Sequence, residues 1–122
     1  MSKYGSAHPE EYSDRVDELR QHRCEMSFYK YGSAKINFGQ HLVDALKSHD
    51  LCVQKYKETG NTEYLLDAMN YLMFEFEYPS KPDAYFKATG SDESAGIVGV
   101  SVTESNKDSR DRMIDRLLSE GA

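Results

Sequence analysis

The sequence lacks tryptophan, has three prolines and two cysteines, and contains no run of about 18 apolar residues. The missing run argues against a membrane span and a membrane partner. The polar residues after Met1 lack the apolar core of a secretory signal, so we expect a cytoplasmic protein of a bacterium or a host cell. Cys24 and Cys52 have no neighbouring cysteine that would form a CxxC motif. We therefore predict that both thiols are reduced and packed.

Positive charge is also scarce, since 15 Lys and Arg face 21 Asp and Glu, for a formal net charge of −6. Without a basic stripe the chain cannot release the counterions of a phosphate backbone, which argues against direct binding of nucleic acid. An acidic surface suits a protein partner with a basic surface, and it also keeps a small domain soluble. The charge leaves both interpretations open.

What the sequence does contain is helical periodicity, because apolar residues recur at spacings of three and four. The pattern predicts helices over about 8–29, 34–58 and 63–77. Gly60 can end a helix in the left-handed conformation, and Asn61 or Thr62 can cap the next one. We predict a mainly α single domain, residues 1–122, folded as a helical bundle built on this antiparallel helical hairpin.

The remaining segments are less regular. We expect a flexible N-terminus at residues 1–8 and, near 83–103, a Gly/Ser-rich loop or a short strand. A C-terminal helix is predicted at 104–120, where apolar residues cluster on one side: Met113, Ile114, Leu117 and Leu118. This helix could dock on the bundle or mediate self-association, so a homo-oligomer is one expected assembly.

Polar residues on the third predicted helix form the first candidate site. Asp67 and Asn70 lie one turn apart, and Glu63 lies one turn before Asp67. His41 and Asp44 of the preceding helix would face them across the hairpin. These five residues are candidate ligand-binding residues. Asp44, Glu63 and Asp67 could hold a divalent cation, Mg²⁺ or Mn²⁺, through oxygen ligands.

The alternative role for these residues is structural and needs no cofactor. A buried carboxylate must be paired or hydrogen-bonded. Asp67 would then accept hydrogen bonds from a buried Tyr or from an Arg of the first helix, and Asn70 would bond to a backbone turn. We assign no catalytic residue, because the sequence contains no P-loop, dinucleotide-binding, serine-hydrolase or zinc-protease motif.

Two neighbouring segments carry a family resemblance: Lys30-Tyr31-Gly32 before a long helix, and then a helix with Glu63, Asp67 and Asn70-Tyr71. Over about residues 25–77 they resemble the all-α nucleotide pyrophosphohydrolases of the MazG type, in the form encoded by phages. The resemblance implies carboxylates from neighbouring helices that hold magnesium at a nucleoside triphosphate. The chain departs from the family in two places. It offers Asp44 where the family has Glu-x-x-Glu, and Glu63 and Asp67 are one residue too far apart for Glu-x-x-Asp.

The loop predicted after Pro82 offers a second candidate site, for a protein partner. Tyr85 and Phe86 could form an exposed aromatic anchor close to the acidic residues Asp92 and Glu93. Aromatic anchors on polar loops are typical of binding surfaces. The same two rings could instead pack against the end of the bundle.

Two functional hypotheses follow. In the first, the chain is a small acidic helical interaction protein that binds another protein, in the manner of an accessory or counter-defence inhibitor of a phage or mobile element. In the second, it is a metal-dependent nucleotide pyrophosphohydrolase or nucleotide-binding protein that uses Asp44, Glu63, Asp67 and Asn70. Small size, acidity and the lack of a complete catalytic motif favour the first hypothesis, without enzymatic activity.

Overall fold

The computed structural model describes residues 10–99. This range contains four helices and no strand: α1 (Asp14–Tyr31), α2 (Ala34–Asn37), α3 (Ala45–Thr59) and α4 (Glu63–Glu77). The predicted mainly α fold, built on a helical hairpin, is confirmed. The chain divides into two compact units, with the boundary between Tyr85 and Phe86. The predicted N-terminus, 1–8, and C-terminal helix, 104–120, lie outside the described residues.

The hairpin of α3 and α4 turns within residues 60–62. Gly60 ends α3 in the left-handed conformation, at φ 78° and ψ 3°, which glycine adopts without a steric penalty. Thr62 is the N-cap residue of α4, and its side chain makes no cap hydrogen bond. The side-chain oxygen of the preceding Asn61 accepts the backbone N–H of Glu63 at 3.0 Å and so satisfies the first amide of the helix. The predicted turn and the predicted bounds of α4 are confirmed.

Helix α1 begins later than the sequence pattern indicates. The hydroxyl of Ser13 accepts the backbone N–H of Val16 at 3.1 Å and so caps a helix that starts at Asp14. Residues 10–13 are not helical. The predicted start near residue 8 is wrong, since the Ser13 cap begins the helix five residues after the position that the Pro9 signal suggests.

The predicted single helix over 34–58 is wrong, because the chain leaves the helical path between α2 and α3. Phe38 turns inward, is 8% exposed and stacks on Phe74 with ring centroids 4.6 Å apart. His41 adopts a left-handed conformation at φ 56°. Asp44 then caps α3 by accepting a backbone N–H at 3.0 Å. Burial of an aromatic ring and a new helix cap compensate for the hydrogen bonds lost at the break.

Helix α4 is the central helix of the first unit. α3 packs on it most extensively, and α1 packs on it as well. Arg20 of α1 bonds to Asn70, whereas Arg23, further along α1, bonds to the earlier Asp67. Since the order reverses, α1 runs antiparallel to α4 and therefore in the same direction as α3.

The core of the described residues is small. Its buried apolar residues are Phe38, Ala45 and Ala68, and no side chain within 10–99 is completely enclosed. Helix α1 contributes no buried residue. Many larger apolar side chains of this unit therefore stay in contact with solvent.

Residues 83–99, which follow α4, form turns and loop and contain no strand. Residues 83–99 therefore fit the loop alternative, whereas residues 100–103 of the predicted segment lie outside the described residues. In the second unit the backbone N–H groups of Glu93 and Ser94 both donate to the carbonyl oxygen of Gly90 at 3.1 Å. Among the helices within 10–99, none combines the length and the apolar content that a membrane crossing requires.

Candidate functional site

A cluster of charged side chains joins α1 to α4. Arg23 donates from Nε and Nη2 to the two carboxylate oxygens of Asp67, each at 3.0 Å. Its Nη1 lies 3.0 Å from a carboxylate oxygen of Glu63. One guanidinium is therefore shared by two carboxylates that lie a helical turn apart, and the fork on Asp67 is a geometry that lysine could not reproduce. The hydrogen bond to Asp67 is the main reason why the pKa of Arg23 is raised.

Asn70 extends this cluster by one turn of α4. The residue is 6% exposed. Its side-chain oxygen accepts from Nε of Arg20 at 3.1 Å, and its nitrogen donates to the backbone oxygen of Arg20 at 3.0 Å. Within 10–99, every buried side-chain nitrogen and oxygen has a partner. Asp67 therefore has the structural role predicted for it, since it accepts hydrogen bonds from an arginine of the first helix. Asn70 bonds to a backbone oxygen, as predicted, but that oxygen belongs to helix α1 and not to a turn.

An open cavity of about 450 Å³ lies beside this cluster. Arg23, Asp67 and Asn70 supply its polar wall. Aromatic rings supply much of the rest: Tyr31, Phe38, Tyr71 and Phe74. Phe38 stacks on Phe74 and meets Tyr71 edge to face, with centroids 6.0 Å apart. These three rings are therefore a packed part of the fold, whereas Tyr31 is 64% exposed.

The two cysteines are free and half-buried, as predicted. Burial raises the pKa of the Cys24 thiol, which lines the cavity, and also that of the Cys52 thiol. Burial likewise raises the pKa of the Tyr71 hydroxyl. A thiol with a raised pKa stays protonated at neutral pH and is a poor nucleophile. The cavity therefore contains no activated cysteine.

The structure does not bring the predicted ligand residues together. Asp44 caps the start of α3, and α3 itself, about 20 Å long, separates it from Glu63 at the hairpin turn. His41 lies exposed in the break before α3. Glu63 and Asp67 both bind Arg23. One cation therefore cannot contact all three predicted metal ligands, and within 10–99 no three His, Cys, Asp or Glu side chains are grouped to hold a metal ion.

The predicted partner-binding residues of the loop are accessible. Tyr85 is 86% exposed and Phe86 is 79% exposed. Asp92 is exposed. Glu93 lies 3.7 Å from the ammonium group of Lys87. Among residues 10–99, no group of three metal-binding side chains includes Asp92 or Glu93.

Sequence reasoning missed the two arginines of α1 as site residues. Arg23 interrupts an apolar stripe of the helix, and it follows Arg20 by three residues. Asp67 and Asn70 of α4 have the same spacing. Two polar pairs of equal spacing on different amphipathic helices indicate a matched contact between those helices. That signal was present in the sequence.

A second surface feature lies on α4. Leu65, Met69, Leu72 and Phe76 recur at spacings of four, three and four, which places them on one face of the helix. We call these four residues the α4 stripe. Leu65 is half-buried, whereas Met69, Leu72 and Phe76 are 37%, 45% and 64% exposed, and the adjoining Met73 is 37% exposed. Soluble monomers rarely leave a contiguous apolar surface of this kind uncovered, and such surfaces usually mark interaction sites.

No protein family, characterised protein or solved structure matches the chain. The similarity to MazG-type pyrophosphohydrolases therefore stays a prediction. The arrangement of side chains described above is the basis on which a function can be inferred.

Proposed function

We propose that this chain is a protein-binding module that acts through the α4 stripe and has no catalytic role. The observation that carries the proposal is the exposure of large apolar side chains on the central helix of a unit whose buried apolar core consists of Phe38, Ala45 and Ala68 among the described residues. Covering Met69 and Leu72 would remove apolar area from water, which is the main driving force of association. The stripe is therefore a surface that gains free energy when a partner covers it.

The charged cluster supports this proposal because its carboxylates already have a structural role. A metal-dependent hydrolase needs carboxylates that are free to bind a cation. Here both oxygens of Asp67 accept from Arg23, and Glu63 faces the same guanidinium. A cation would have to displace a bidentate arginine before it could bind. The side chains thus favour a fold-stabilising role for the cluster over a nucleotide hydrolase.

The acidity of the chain is compatible with a more specific form of this function. A net charge of −6 would orient the chain toward a partner with a basic surface around the apolar contact. A cytoplasmic inhibitor encoded by a phage or mobile element, which occupies a basic surface of its target, is one such form. It rests on charge and size, whereas the binding function itself rests on the α4 stripe.

Site-specific photo-crosslinking tests the binding function. Leu72 is replaced by a benzophenone amino acid in the full chain, with Gln21, an exposed polar residue of α1, as the matched control. We expect light-dependent covalent adducts of higher mass from position 72 and none from position 21. Equal labelling at the two positions, or no adduct at position 72, contradicts the proposal.

A thermal-unfolding experiment tests the competing nucleotide function. We expect Mg²⁺ or Mn²⁺, with or without nucleoside triphosphates, to leave the midpoint unchanged. A true ligand at about 100 times its dissociation constant would add about 2.7 kcal/mol to the free energy of unfolding. Asp67→Asn should lower the midpoint with or without metal, whereas the exposed Asp92→Asn should not. A metal-dependent shift that Asp67→Asn removes would establish the hydrolase or nucleotide-binding alternative.

A further inference from the structure

We infer that the open cavity beside the charged cluster is a binding site for a small, uncharged aromatic molecule that carries a hydrogen-bonding group, of which phenol is the simplest example. The cavity lies within the first unit, and no residue of the α4 stripe lines it. The inference therefore goes beyond the proposed protein-binding function and does not depend on it.

The cavity has the size and the construction of a small-molecule site. Its volume of about 450 Å³ falls within the range of about 300 to 1,000 Å³ that is usual for ligand pockets. A cavity of about 150 Å³ is already large enough for benzene. Three separate parts of the chain build the wall: α1, α4 and the segment 37–43, which contains the break before α3. Because the cavity is open, a ligand enters it without unfolding a helix.

Aromatic rings form one side of the cavity and favour an aromatic ligand. Phe38 is 8% exposed, stacks on Phe74 and meets Tyr71 edge to face. These three rings hold one another in place, so this side of the site is formed before a ligand binds. A ligand ring that lies offset or edge-on against them gains aromatic attraction in addition to the burial of apolar area, whereas an aliphatic ring gains only the burial.

Two hydroxyl groups of the wall are available to the polar group of a ligand. Ser27 and Tyr71 line the cavity and are half-buried, and within residues 10–99 neither hydroxyl has a hydrogen-bond partner. Neither is fully enclosed, because every enclosed side-chain nitrogen and oxygen in that range is paired. Burial raises the pKa of the Tyr71 hydroxyl, which therefore remains a donor at neutral pH. A ligand hydroxyl would bond here without breaking a hydrogen bond inside the protein.

The charges of the wall favour an uncharged ligand. Among the described residues that line the cavity, Arg23 and Asp67 alone carry a formal charge, and they neutralise each other through two hydrogen bonds of 3.0 Å. An anion would face the Asp67 carboxylate and compete with it for the guanidinium, and a cation would face Arg23. Either ion would also lose part of its hydration on entry, a cost that a neutral ring avoids.

Protection of Cys24 from alkylation tests the site in the full-length wild-type chain. Cys24 lines the cavity and Cys52 does not, while both thiols are free and half-buried and have a pKa raised by burial. Cys52 is therefore a matched control within the same molecule. The chain is alkylated with iodoacetamide in up to about 20 mM phenol, which covers the millimolar dissociation constants expected of so small a ligand. Mass spectrometry of peptides gives the rate at each thiol.

We expect phenol to slow the alkylation of Cys24 saturably and to leave that of Cys52 unchanged. The slowing should reach at least about threefold, the ratio at a phenol concentration of twice the dissociation constant. A rate at Cys24 that phenol does not change, or equal slowing at the two thiols, overturns the site.

Three analogues test the class of ligand. Benzoate and benzylamine carry a negative and a positive charge on the same ring, and cyclohexanol carries the hydroxyl on an aliphatic ring. Each should bind at least about threefold more weakly than phenol in the same protection assay. An analogue that protects Cys24 as well as phenol does overturns the assigned class.

The variant Tyr71→Phe tests the hydrogen bond, because it keeps the ring of the aromatic side and removes the hydroxyl. It should weaken phenol binding about fivefold, the usual contribution of one hydrogen bond. Tyr29→Phe is the matched control, since Tyr29 is 85% exposed and does not line the cavity, and it should leave the protection unchanged. Circular dichroism confirms that both variants remain folded. Undiminished protection in Tyr71→Phe overturns the assignment of this hydroxyl to the ligand.

Discussion

Breaking the contact between Arg23 and Asp67 should reveal how strongly it holds α1 to α4. Three variants are needed: Arg23→Met, Asp67→Leu and the double variant. Removing Asp67 alone leaves the guanidinium with Glu63 as its remaining carboxylate. Removing Arg23 alone leaves two acidic groups a turn apart without their shared cation. The double variant replaces the pair with apolar side chains of similar size, so it should lose less stability than the two single variants added together.

The magnitude follows from geometry and exposure. Two charge-assisted hydrogen bonds of 3.0 Å join the side chains, which are 30% and 23% exposed for Arg23 and Asp67. This exposure lowers the value below that of a fully buried pair. We expect each single variant to lose about 2 kcal/mol of unfolding free energy and the double variant about 2.5 kcal/mol, for a coupling of about 1.5 kcal/mol.

Urea unfolding monitored by circular dichroism measures these free energies, and each single variant should also melt about 8 °C lower. All samples need the same protein concentration, because any self-association would make stability concentration-dependent. Arg15→Met, on the exposed surface of α1, is the control and should stay within about 0.5 kcal/mol of the wild type. Additive losses, with a coupling below about 0.5 kcal/mol, would refute the view that Arg23 and Asp67 form the link between the helices.

The remaining predictions concern pH and backbone geometry. Burial raises the pKa of Tyr71 and Cys24 above their ordinary values of 10.0 and 9.0, so the folded state holds these protons more tightly than the unfolded state. The unfolding free energy should therefore be constant near neutral pH and fall as the pH rises above about 9. Tyr71→Phe should flatten that decline in urea titrations at several pH values. Gly60→Ala should cost about 1 kcal/mol because φ is 78°, whereas Gly90→Ala, in open space, should cost almost nothing. Gly39→Ala should cost at least about 2 kcal/mol in the same assay, because its Cβ would overlap a backbone carbonyl oxygen of α2.

The helical hairpin could be predicted from the sequence because its signals are local. Gly60 ends α3, and the Asn61 side chain directly after it accepts the first amide of α4. The bounds of α4 follow from its continuous apolar period. The break between α2 and α3 could not be predicted in the same way. Leu42 and Leu46 continue the helical period across it, whereas the inward turn of Phe38 depends on a ring of a distant helix, Phe74. Tertiary packing there overrides the local pattern.

The candidate site was predictable in part for the same reason. Asp67 and Asn70 stand out as polar residues on an apolar helix, and an arginine of the first helix was one of the two partners that the sequence suggested for Asp67. The assignment of Asp44 to the same site failed, because it assumed a continuous helix through a residue that is a cap. Periodicity also identifies the apolar face of α4, but it does not tell which part of that face the chain itself leaves exposed.

The weak attachment of α1 has a consequence for the order in which the helices form and open. Helices α3 and α4 are joined by a three-residue turn, whereas the bonds that hold α1 to α4 join residues 44 and 50 positions apart. Closing the longer loop costs more chain entropy, and α1 contributes no buried residue in return. We therefore expect α1 to dock last during folding and to detach first in native-state fluctuations, with its amide protons exchanging before those of the hairpin.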